Sequence, residues 1–174
     1  MNAVLATLFL FALQNVAPAT ATYRHDGPAL LNDPTVTPGA TGTTPVATLC
    51  SPDFHTGTIR DVTDEMKIQV CAEYGIAKED CTGEKYEIDH LISLELGGSN
   101  DLKNLWPQPY GPVPGAREKD QVEDELHRQV CAETTDDARQ QKLQEVQKEI
   151  STDWYTVYQT LPHPAKKQAP DSER

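Results

Sequence analysis

Tyr86-Glu87-Ile88-Asp89-His90-Leu91-Ile92-Ser93-Leu94-Glu95-Leu96-Gly97-Gly98, followed shortly by Asn104-Leu105-Trp106-Pro107, is the stretch on which the rest of the chain turns. Over residues 86–96, Ile88, His90 and Ile92 fall on one side and Glu87, Asp89 and Leu91 on the other, the period of two that marks a strand. Gly97-Gly98-Ser99-Asn100 predicts a turn, and residues 102–106 a short return strand. Prolines at 107, 109, 112 and 114 predict an extended crossing that stops before Ala116. Beyond it Val122, Leu126 and Val130 recur one turn apart, which predicts a helix over 116–131 with a buried stripe. Glu123 and His127 form an i, i+4 pair beside that stripe.

This arrangement resembles the His-Asn-His (HNH) endonuclease motif, whose ββα-metal fold is two short strands and a helix around a divalent cation. The close likeness covers about twenty residues. A looser likeness to small secreted bacterial proteins of this type runs from Cys50 to Tyr158 and includes Gln147, Ile150, Asp153 and Trp154 of the last helix. The resemblance implies an α+β fold with a ββα-metal core and additional helices. It also implies that Asp89 is a metal ligand, that His90 is the general base, and that Asn104 holds the connecting loop so that the base stays in line. These roles suit phosphodiester hydrolysis, which needs a deprotonated water and positive charge against the phosphate. The family places a third His or Asn in the first turn of the helix, and Gly115-Ala116-Arg117-Glu118-Lys119-Asp120 contains neither. Asp120, Glu123 and His127, with Glu87 from the strand, are the candidates to complete the metal site. An oxygen-rich set favours Mg²⁺ or Mn²⁺, with Ca²⁺ or Zn²⁺ further down the order. Lys119 and Arg117 are candidates for binding a substrate phosphate.

Composition bounds this reading. A chain of 174 residues with 37% hydrophobic residues and 13 prolines is long enough for one domain and two unstructured ends. Residues 1–13 are apolar and are followed by small residues up to Ala21, which predicts a secretory signal peptide over 1–21 and no membrane attachment once it is cleaved. Residues 22–48, rich in Thr, Pro, Gly and Ala, read as a flexible lead-in, 49–161 as the nuclease-like domain, and 162–174 as a disordered tail. Within the domain, Thr63-Asp64-Glu65 predicts a helix start and Gly75 its stop, while Leu143, Val146, Ile150, Trp154 and Val157 predict a last helix over 137–161.

Four cysteines in an exported chain predict disulfides. Of the three pairings, Cys71–Cys81 around a short loop with Cys50–Cys131 tying the start of the domain to a helix end is preferred. A four-cysteine zinc site is disfavoured, because the spacings contain no CxxC knuckle. The formal net charge of −12 runs against tight binding of a polyanion, since nucleic-acid binders draw most of their affinity from phosphate neutralisation. The expected partner is nonetheless nucleic acid, DNA ahead of RNA, reached through a metal. The alternative is a non-catalytic acidic extracellular module that keeps the fold and holds a structural Ca²⁺.

Overall fold

The structure is a computed structural model in which residues 20–162 are described. It is an α+β fold with two small antiparallel sheets, four α-helices and two disulfides. In chain order these are β1 (Arg24–Asp26), β2 (Ala29–Leu31), α1 (Val46–Leu49), α2 (Asp64–Glu73), β3 (Tyr86–His90), β4 (Leu105–Pro109), α3 (Ala116–Ala132) and α4 (Asp136–Thr160).

Residues 22–48 depart from the expected lead-in, for they are folded onto the domain. β1 and β2 pair as a hairpin, and Ala29, Leu31 and Val46 enter the main core with Val122, Leu126, Ile150 and Trp154. Asn32 and Thr37 are buried, and the Thr37 hydroxyl contacts the Tyr74 hydroxyl and donates to the Leu105 carbonyl. Three-residue strands are too short to register as a periodic pattern, so composition alone gave no sign of them. Of the expected signal segment 1–21, residues 1–19 lie outside the described residues; Ala21 is buried, and its N–H donates to the Glu73 carbonyl. The tail beyond 162 also lies outside them.

β3 and β4 pair antiparallel with Asp89 opposite Trp106 and His90 opposite Leu105. The return strand therefore lies later than residues 102–106, and it takes in Pro107 and Pro109. These prolines alternate, so Trp106 and Gln108 carry the donors, as an edge strand allows. β3 also stops at His90 instead of running to residue 96. The buried side chain of Asn104 takes the place of a strand partner: its Oδ1 accepts from the Ile92 N–H and its Nδ2 donates to the Ile92 carbonyl, at 3.0 and 2.9 Å. Beyond it, Leu94–Leu96 turn as a 3-10 helix that ends on Gly97 at φ +72. Gly98 is required there, because a Cβ would lie 1.8 Å from the Ile92 carbonyl oxygen. Leu91 and Ile92, pointing apart, enter separate cores: Leu91 joins Tyr74 and Trp106, and Ile92 joins the main cluster.

The helices follow the pattern more closely. Thr63 caps α2 through the Met66 N–H, and Val122, Leu126 and Val130 are buried on α3. α4 carries a break at Asp153, whose carboxylate accepts from the Tyr155 and Thr156 N–H groups and so caps a second helical start. The disulfides join Cys50 to Cys131 and Cys71 to Cys81, the preferred pairing. No helix among the described residues is long and apolar enough to cross a membrane.

Candidate functional site

Asp89 and His90 are the last two residues of β3, and both line a cleft of about 190 Å³ between the end of that strand, the loop around Arg60 and one face of α3. Six carboxylates border this cleft: Glu87, Asp89, Glu95, Asp120, Glu123 and Asp124. Ser93 also faces it; its side chain is buried, and its hydroxyl has no hydrogen-bond partner among the described residues.

Successive strand residues face opposite ways, and the two therefore have separate partners. Asp89 Oδ2 accepts from the Trp106 indole at 3.0 Å and pairs with the Lys119 ammonium at 2.7 Å. Lys119 is only 1% exposed. Its ammonium also bonds Glu123 one turn along α3 and donates to the His90 carbonyl at 3.0 Å. An ammonium has three donors, and these contacts use all of them. Lys119 therefore has none to offer a substrate phosphate, which corrects the role expected of it. It fastens α3 to β3 instead.

The His90 ring meets Asn100, which in the sequence marks only a turn. Nε2 lies 3.0 Å from Asn100 Oδ1, which also accepts from the Asp61 N–H at 3.2 Å. Asn100 Nδ2 donates to the Ile59 carbonyl at 2.8 Å. These bonds fix which end of the amide is oxygen, so Nε2 must carry the proton and Nδ1 the lone pair. Asn104 does not touch the ring. Its side chain bonds the Ile92 N–H and carbonyl, the Ser99 carbonyl and the Ala40 N–H, and so ties the loop to the strand end. Asn100 follows Gly97-Gly98 as a turn residue would, and nothing local in the sequence separates that use from a bond to the ring.

Electrostatics follow from burial and crowding. Burial lowers the His90 pKa below its ordinary value, and the Asn100 bond offsets only part of this, so the ring is neutral at neutral pH. Burial raises Glu87, with Asp89 and Asp120 adding to it, and burial followed by Asp89 raises Asp120. Burial also raises Glu95. Burial works against the Lys119 charge, but Asp89 and Glu123 overcome it and hold that pKa above the usual lysine range. Glu123 is pushed up to about 8, burial outweighing the ammonium it shares with Asp89.

Of the other expected site residues, Glu87 lines the cleft, whereas Arg117 lies over the Tyr110 ring at 5.3 Å and is not among the lining residues. His127, a candidate ligand, is also absent from the lining. Its Nε2 is 3.0 Å from the Leu49 carbonyl oxygen and 3.4 Å from Cys131 Sγ. Cys50, His127 and Cys131 are the one set of three potential ligand atoms gathered within 4.8 Å of one another among the described residues. Both sulfurs are consumed in a disulfide, so no thiolate is available to a metal. Glu123 faces the cleft, but one of its oxygens is committed to Lys119.

Comparison of the chain with protein-family models, with curated proteins and with solved structures finds no match.

Proposed function

We propose that this protein is a secreted, metal-dependent endonuclease of the HNH type that hydrolyses phosphodiester bonds in nucleic acid, DNA ahead of RNA. The observation that carries the reading is the state of His90. A buried imidazole at the cleft wall, kept neutral, with its Nε2 proton anchored on Asn100 and its Nδ1 unbonded among the described residues, is equipped to take a proton from water. The order of strand, clamping asparagine, strand and helix supports the same reading, as do two disulfides, which belong to an oxidising compartment.

The donor set suits a hard divalent cation. Glu87, Asp120 and the Oδ1 of Asp89, which makes no other bond among the described residues, are carboxylate oxygens of the kind Mg²⁺ or Mn²⁺ takes. Burial and mutual repulsion raise Glu87 and Asp120, and a cation would relieve that repulsion. An ion bound there would place positive charge against the phosphate; His90 would hold the proton from the attacking water, and Lys119 would keep Asp89 in place.

Nicking of supercoiled plasmid in Mg²⁺ or Mn²⁺ tests the proposal. EDTA and His90→Ala should each abolish it, with the circular dichroism spectrum of the variant unchanged. Full nicking by a folded His90→Ala protein sinks the mechanism. One observation favours a second reading, a non-catalytic module with a structural cation: the Lys119 ammonium already supplies positive charge to two of the acids. That reading expects no nicking by the parent protein in any metal.

A further inference from the structure

We infer that Arg60 is the residue that takes a phosphate group of the substrate; this rests on reading the cleft as a phosphodiester site. Arg60 is the sole Lys or Arg among the residues lining a cleft bordered by six carboxylates. Its side chain is exposed and makes no hydrogen bond or ion pair among the described residues, although it acts electrostatically on both Glu87 and His90. Lys119, the other cation at hand, has spent its three donors.

The segment presenting Arg60 is built to hold it in place. Its own N–H donates to the Thr56 carbonyl at 3.0 Å, closing the 3-10 turn Thr56–Thr58. On either side of it Asn100 makes a bond: Nδ2 to the Ile59 carbonyl, and Oδ1 from the Asp61 N–H. The same Oδ1 receives the His90 ring. One amide therefore ties the proposed base to the backbone that carries Arg60, so that the long guanidinium side chain starts from a fixed point beside the cleft. The guanidinium fork matches two phosphate oxygens at once, and a lysine could not reproduce that. In a protein of net charge −12 the consequence is large. Without Arg60 an approaching phosphodiester meets six acidic side chains and no Lys or Arg among the residues lining the cleft.

The test compares the parent protein with Arg60→Gln and Arg60→Lys in Mg²⁺. Steady-state cleavage of linear duplex DNA should show KM rising about tenfold or more in Arg60→Gln with a smaller change in kcat, and partial recovery in Arg60→Lys. The slope of log affinity against log salt should fall by roughly one when Arg60 is neutralised. A second measurement needs no turnover: titration with inorganic phosphate, followed by the Asp61 amide and His90 ring resonances. The parent resonances should shift saturably and those of Arg60→Gln should not. If parent and Arg60→Gln respond alike, or if KM and the salt slope are unchanged in an active protein, the inference is overturned. Phosphate binding through Arg60 in a protein that cuts nothing would uphold this inference and overturn the hydrolase reading alone.

Discussion

At the scale of single residues the proton on His90 matters most. Its neutral form is the proton acceptor, and burial lowers its pKa from the ordinary 6.5, so the acid limb of kcat/KM should lie below that value. Asn100→Asp places a carboxylate against Nε2–H, stabilises the imidazolium, and should move both the acid limb and the His90 NMR titration to higher pH. An unmoved titration would show that Asn100 does not govern this ring. Of this pair the sequence disclosed only His90, through the Asp-His dipeptide and its neighbours. The motif marks Asn104 as the loop clamp, whereas Asn100 has only the look of a turn residue and becomes the ring partner once the loop closes on Ile59 and Asp61. Arg60 gave less sign still, since a lone cation in a polar loop has no periodic neighbour to mark its direction.

At the scale of elements, α3 is tied to β3 by the Lys119 ammonium, while Val122 and Leu126 pack into the main core with the hairpin and α4. Removing the ammonium leaves the Asp89 carboxylate, 10% exposed, without its counter-charge and the Glu123 carboxyl group, 13% exposed, without its partner. Lys119→Met should therefore lower unfolding free energy by about 3 kcal/mol, within the range for one partner lost from a buried ion pair, as read from urea denaturation. Lys119→Met combined with Glu123→Gln should recover part of the loss. A single variant as stable as the parent would mean that the carboxylates are better hydrated than the packing indicates. Helix positions were legible because a stripe such as Val122, Leu126, Val130 repeats over more than two turns and averages out exceptions. The end of β3 was not, since residues 91–96 still alternate after the strand has stopped. What ends it is a side chain from residue 104, which no local pattern contains.

For the whole molecule, the two disulfides differ in the length of chain they close, 81 residues for Cys50–Cys131 and 10 for Cys71–Cys81. Loop-closure entropy then assigns about 4.5 kcal/mol to the first and about 3 kcal/mol to the second. Thermal unfolding of Cys50→Ala/Cys131→Ala should occur at a lower temperature than that of Cys71→Ala/Cys81→Ala; the reverse order would show that the long bridge closes a chain already held together by its core. The hairpin β1–β2, α1 and α4 share that core with α3, so the long bridge joins parts that also pack together.

What the sequence determined by itself is whatever short-range pattern and chemistry suffice to specify: an α+β chain, the start and stop of α2, the buried stripes of α3 and α4, the Asp89-His90 pair, and a cysteine pairing that spacing and compartment favour. Tertiary structure decided the rest. It turned Lys119 inward by surrounding it with two carboxylates and a carbonyl, folded residues 22–48 into the core, and brought Arg60, Asn100 and His90 to one place. The physical reason is common to all three. A charge settles where its counter-charges and hydrogen-bond partners converge, and those partners come from segments remote in sequence that meet only in the folded chain.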